Sequence, residues 1–67
     1  MIILNQLVGD SCVILDSNRD DTAFRVTVNK SIIEQFDAGG PGGAVGALKR
    51  AIARFESLVA GLEKEGK

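Results

Sequence analysis

The sequence predicts an α+β fold: a three-stranded antiparallel β-meander, a short helix, a glycine-rich loop and a long C-terminal amphipathic helix packed on the sheet. Three observations support it. Apolar residues recur at helical spacing between Ala44 and Glu65. Between Thr22 and Asn29, apolar residues alternate with polar ones. The five residues from Gly39 to Gly43 are all glycine or proline. With 67 residues, the chain 1–67 is expected to form a single domain.

The long helix is predicted from the spacing of its apolar side chains. These follow one another at steps of three or four residues, as they do on one face of a helix, and they are Val45, Leu48, Ile52, Phe55, Val59 and Leu62. We expect this stripe to pack on the sheet, with Phe55 near its middle.

Three strands are predicted before the helix. Met1 to Val8 is short and rich in isoleucine, and Gly9-Asp10 ends it as a turn. Ser11 to Leu15 follows, and its consecutive apolar residues indicate a strand covered on both faces, either by its own chain or at a subunit interface. Thr22 to Asn29 alternates between apolar and polar residues, which predicts a strand with one face in water.

A short helix is predicted from about Ile32 to Asp37. Ser31 and Glu34 have the spacing of a capping box, in which the two side chains bond free N–H groups at a helix start. The helix should end before the glycine run, because glycine costs about 1 kcal/mol and proline about 3 kcal/mol inside a helix.

Composition favours self-association. A chain of this size buries roughly 60% of its unfolded surface, so a lone core is marginal. One cysteine, Cys12, gives no internal disulfide, and the absence of histidine removes the commonest zinc ligand. The formal net charge of −1 provides no overall attraction to nucleic acid or anionic membranes. We expect a cytoplasmic homo-oligomer, most simply a dimer, with no membrane partner, and we favour a protein partner over nucleic acid.

No cofactor, metal site or catalytic group is expected. The run Asp16-x-Asn18-x-Asp20 opens like a calcium loop, but Asp21 stands where that loop needs glycine and Thr27 where it needs a bidentate glutamate. Cys12 has no histidine to activate it. The sequence therefore predicts a protein that is not an enzyme.

Small residues lie beside the apolar stripe of the long helix. They recur every seven residues at Gly46, Ala53 and Ala60, which would let a second backbone approach closely. Alanine is also simply a good helix former, so both interpretations stay open. For an oligomer interface we propose these three residues together with Val13 and Leu15 of the second strand.

An anion site is a further alternative. The free N–H groups at the start of the long helix, near Gly42, Gly43 and Ala44, could hold a phosphate or carboxylate, with Lys49 or Arg50 beside it. Neither a Walker loop nor a dinucleotide-binding glycine pattern is present, so a plain interhelical connection is the simpler interpretation.

Two family resemblances bear on function. Phe24 to Glu34, followed later by Ala51 to Phe55, resembles a ribbon-helix-helix DNA-binding protein. In that family alternate strand residues enter the major groove, and the matching positions are Arg25, Thr27 and Asn29.

The overall order of elements is similar to a small bacterial family of unknown function, built as a β-meander followed by helices. That likeness implies a fold and no activity. From it and from the lack of catalytic groups, we expect a small accessory protein of the kind that bacteria and phages encode. Its expected role is a protein-binding or inhibitory module, with the DNA-binding regulator and the anion or nucleotide binder as alternatives.

Overall fold

The computed structural model describes residues 1–65, which form an antiparallel sheet of four strands followed by a long helix. The strands are β1 (Ile2–Val8), β2 (Ser11–Ser17), β3 (Ala23–Val28) and β4 (Ser31–Asp37), and the helix is α1 (Gly43–Glu65). Each strand pairs with its neighbour in sequence, so that β1 and β4 are the edges of the sheet. The predicted α+β class, the first three strands and the long helix are confirmed.

Two tight turns fix the register of the outer hairpins. Gly9 begins the turn between β1 and β2 with a φ of 61°, and only this first central residue has positive φ, which matches a type II′ turn. Asn29 and Lys30, with φ of 51° and 72°, both have the left-handed conformation of a type I′ turn. Both turn types match the twist of antiparallel strands.

The predicted short helix between Ile32 and Asp37 is wrong, because this segment is β4. Its residues pair with β3, with Phe36 opposite Phe24 and Gln35 opposite Arg25. The type I′ turn at Asn29 and Lys30 sends the chain back along β3, so Ser31 and Glu34 do not form a capping box. The sheet therefore has one strand more than the meander predicted from the sequence.

The core lies between α1 and one face of the sheet. Its buried residues come from the two central strands and the helix: Val13, Leu15, Phe24, Val26, Ala47, Ala51, Phe55 and Val59. Ser17, at the end of β2, is also buried, and its hydroxyl has no hydrogen-bond partner among the described residues.

The buried face of the helix differs from the predicted stripe. Phe55 and Val59 are in the core as expected, and Leu48, Ile52 and Leu62 pack at its margins. Val45, however, is 63% exposed, and the core positions before Phe55 are Ala47 and Ala51. The buried helix residues, Ala47, Ala51, Phe55 and Val59, recur every four positions, so the fully buried row differs from the predicted stripe with its alternating steps of three and four.

Replacement of Phe55 by alanine is expected to be severely destabilising. Loss of a buried phenylalanine costs about 3–5 kcal/mol, against roughly 5 kcal/mol of total stability for a small domain. Thermal unfolding followed by circular dichroism should show Phe55→Ala largely unfolded, whereas the exposed neighbour Glu56→Ala should stay close to wild type. A variant that melts within a few degrees of wild type would place Phe55 outside the core.

The turn at Lys30 should be improvable by glycine. A non-glycine residue in the left-handed region costs roughly 1–2 kcal/mol, and replacement by glycine removes this cost. Glycine also has greater freedom in the unfolded chain, which reduces the gain in stability by about 0.4–1 kcal/mol. We expect Lys30→Gly to raise the melting temperature by several degrees, since 1 kcal/mol corresponds to about 4–8 °C in a domain of this size.

Lys49→Gly is the matched control for this turn variant. It makes the same change of charge at an exposed position inside α1, where glycine costs about 1 kcal/mol. Its melting temperature should fall. Equal shifts in the two variants would show that charge, rather than backbone conformation, determines the effect.

Candidate interaction surface

The side of the sheet turned away from α1 is the candidate functional surface. Side chains alternate along each strand, and cross-strand partners share a face, so the register assigns Asn5, Ile14, Thr27 and Ile32 to one row across the sheet. No element within residues 1–65 covers this row. We call this side of the sheet the open face.

The centre of the open face is apolar. Ile14 and Cys12 of β2 are half-buried there, and Leu7 and Ile32 on the edge strands are 76% and 58% exposed. Ile14 neighbours Thr27 on one side and Asn5 on the other. Exposed apolar side chains that lie on one face, here with Asn5 and Thr27 among them, are typical of a surface that a partner covers.

Polar groups occupy the end of the open face nearest the β2–β3 turn. Arg25 lies opposite Asp16, with its Nε 3.5 Å from the Asp16 Oδ1. Gln35 is the next residue across the sheet, and its side-chain amide donates a 3.0 Å hydrogen bond to Asp37 Oδ1. Arg25 and Asp16 form an ion pair, and the Asp37 carboxylate adds a second negative charge at this end.

The structure separates the three residues that the ribbon-helix-helix resemblance would place on DNA. Arg25 and Thr27 lie on the open face, but Asn29 belongs to the turn after β3, where its Oδ1 accepts a 3.0 Å hydrogen bond from the backbone N–H of Cys12. Arg25 is engaged by Asp16. The segment matching that family's first helix is the strand β4.

The residues predicted to form an oligomer interface are dispersed. Val13 and Leu15 are wholly inside the core beneath α1, so neither side chain is accessible to a second chain. Ala53 and Ala60 remain on the exposed surface of the helix. Gly46 serves its own chain instead, since a Cβ there would collide with the carbonyl oxygen of Pro41.

Arg50 organises the predicted anion-binding loop. Its Nη1 donates a 2.9 Å hydrogen bond to the carbonyl oxygen of Pro41, which draws the guanidinium onto the glycine-rich loop. Lys49 is exposed on the helix. Gly42 and Gly43 both have positive φ, and the Gly43 N–H bonds the carbonyl of Gly40 while the Gly46 N–H bonds that of Gly42. Arg50 therefore holds this connection in shape from within the chain.

Asn18 has a comparable role in the turn between β2 and β3. Its Oδ1 accepts hydrogen bonds from the backbone N–H groups of Thr22 and Ala23, at 2.8 and 3.2 Å. Its Nδ2 donates to the hydroxyl of Thr22 at 2.8 Å. Within residues 1–65, no group of three or more acidic, cysteine or histidine residues is arranged to hold a metal ion.

A small apolar cleft lies on the opposite side, where β1 begins beside the start of α1. Its volume is about 280 Å³, and Ile3, Phe24, Val45 and Leu48 form its walls together with Met1, Asp21 and Ala44. Val45, an expected core residue, lines this cleft and is exposed.

Sequence reasoning missed Leu7 and Ile32 as surface residues. From the sequence, Leu7 is one of several apolar residues in the first strand, and Ile32 falls in the predicted short helix. The available signal was the run of apolar residues in β2, because Ile14 needs cover on the side that α1 leaves open. Of the described helix, no part is long and apolar enough to cross a membrane.

No protein-family model, curated protein or solved structure matches this chain. The function proposed below is inferred from the surfaces of the chain itself.

Placement of Arg25, Thr27 and Asn29 leads to a prediction about DNA. Because Arg25 is paired and Asn29 is used in a turn, we expect no binding tighter than the nonspecific range of about 10⁻⁴ to 10⁻⁶ M at physiological salt. A gel-shift titration against DNA fragments of varied sequence tests this. Nanomolar, sequence-dependent binding lost in Arg25→Ala would contradict it and favour a DNA-binding regulator.

Proposed function

We propose that the protein is a non-enzymatic, self-associating module that binds another protein through the open face of its sheet. The observation that carries this proposal is the position of Ile14. It lies in a central strand whose Val13 and Leu15 side chains are fully buried in the core, yet its own side of the sheet has no cover within residues 1–65.

The chemistry of the open face supports a protein partner. Leu7, Ile14 and Ile32 offer apolar contacts across three strands, and Thr27 adds a hydroxyl between two of them. Such a surface suits a partner with its own apolar patch, because burial of apolar area is the main favourable term in protein association. The Arg25–Asp16 pair at one end would give the complex a preferred orientation.

The setting that we propose is the cytosol, because a single cysteine gives the chain no internal disulfide. Inhibition of the partner is the form of action that fits best, since a module of this size acts most directly by covering another protein's surface. The anion-binding alternative has less support, because Arg50 is already bonded to Pro41 within the loop.

The partner-binding proposal is tested with the double variant Ile14→Thr/Ile32→Thr. Threonine is β-branched like isoleucine, so the strands should keep their conformation while the open face loses apolar area. We expect tagged wild-type protein to retain specific host proteins from a lysate and the double variant to lose them, as judged by quantitative mass spectrometry.

Val45→Thr is the matched control for this capture experiment, since Val45 is exposed near the cleft on the helix side of the sheet. It should retain the same proteins as wild type. If the double variant folds normally and retains them too, the open face is not the binding surface.

A further inference from the structure

The two edges of the sheet are protected to different degrees against pairing with another strand. β4 contains Glu34 and Asp37 and follows Lys30, so any strand added there meets charged groups. β1, with the sequence IILNQLV, contains no charged residue and no proline. Natural sheets usually block their edges with such residues, and an edge without them can pair with another strand.

The backbone of β1 is available for such pairing. The two-residue turn at Gly9 and Asp10 makes Val8 and Ser11 a hydrogen-bonded pair in the β1–β2 ladder. The N–H and C=O groups of alternate residues, Asn5 and Leu7, therefore point away from β2. Irregular pairing is confined to the start of the strand, between Ile2 and Leu4.

We infer that β1 pairs antiparallel with β1 of a second copy, forming a two-fold symmetric dimer with a continuous eight-stranded sheet. This inference specifies the self-association that the proposed function includes and rests on it to that extent. The second copy is the occupant because its β1 is equally uncharged, so no charge is buried at the junction.

Symmetry also selects β1 over β4 as the partner strand. Pairing β1 with β1 of the second copy closes the assembly, because each molecule uses its unprotected edge and leaves the charged β4 outside. Pairing β1 of one molecule with β4 of another would leave a free β4 edge at one end of the pair and a free β1 edge at the other. Further molecules could then add at both ends to form a fibre. Such pairing would also place Glu34 and Asp37 beside an apolar strand.

Asn5 is the central residue of β1, and a register symmetric about it places residues 2–8 of the two strands opposite each other, with the irregular segment between Ile2 and Leu4 at the two ends of the junction. Its backbone groups then bond those of the partner's Asn5, and the two Asn5 side chains meet on the open face. The two-fold axis is perpendicular to the sheet, so both helices lie on one side. The two open faces join into one surface of twice the width.

Charge substitution at Asn5 tests the inference. Like charges placed directly opposite destabilise paired strands, so Asn5→Lys and Asn5→Asp should each weaken the dimer by about tenfold or more, corresponding to about 1.4 kcal/mol of repulsion. A one-to-one mixture should restore it as a heterodimer. Light scattering on a sizing column at tens of micromolar measures the molar mass of each variant and of the mixture. Circular dichroism checks that each variant is folded.

Gln35→Lys is the matched control, because Gln35 lies on the open face of the other edge strand and receives the same charge. It should leave the dimer intact. A monomeric wild type at these concentrations, a dimer insensitive to both Asn5 variants, or equal weakening by Gln35→Lys would each overturn the inference.

Two cysteine variants provide a second test in case the charged variants fold poorly. In a Cys12→Ser background, Asn5→Cys should form a disulfide-linked dimer under mild oxidation much faster than Gln35→Cys does. Equal rates would overturn the inference. A monomeric wild-type protein that still shows Ile14- and Ile32-dependent capture would overturn β1 pairing and leave partner binding in place, whereas a wild-type dimer without such capture would overturn partner binding alone.

Discussion

The packing of α1 on the central strands is the interaction on which the rest of this structure depends. Phe55 is buried in one cluster with Leu15 and Val26 of the central strands, and the helix adds the small side chains of Ala47 and Ala51 to the same core. Because one helix can cover one face of a sheet, this packing also determines which residues remain outside. The core and the open face are thus two results of the same arrangement.

Much of the fold could be predicted because local patterns and tertiary packing agree. The alternation from Phe24 to Val28 and the helical spacing after Ala44 were reliable since each element turns one apolar face to the core. β4 could not be predicted in the same way. Ser31 and Glu34 resemble a helix start, and the turn that contradicts it uses Lys30 where the familiar hairpin signal has glycine. This segment is a strand because it pairs with β3, and no local sequence pattern reveals that pairing.

The candidate surface was harder to predict than the fold. Alanines at positions 47 and 51 gave no sign of burial, because alanine is common on exposed helices for its propensity alone. Val13 and Leu15 were expected at an interface since their strand is apolar on both sides, whereas the exposed side of that strand is formed by Cys12 and Ile14. Assigning the correct side requires knowing where the helix docks, which depends on contacts between distant parts of the chain.

The simple up-and-down order of the strands has a consequence for how the chain reaches its native state. Every strand pairs with the one before it in sequence, so the sheet forms through closure of short loops. Short loops cost little chain entropy to close, and proteins dominated by such local contacts fold quickly. The β2–β3 hairpin, held at its turn by Asn18, can therefore gather Val13, Leu15, Phe24 and Val26 into an apolar platform before α1 arrives. On a ribosome, where α1 emerges after the four strands, that platform would be exposed until the helix has been synthesised.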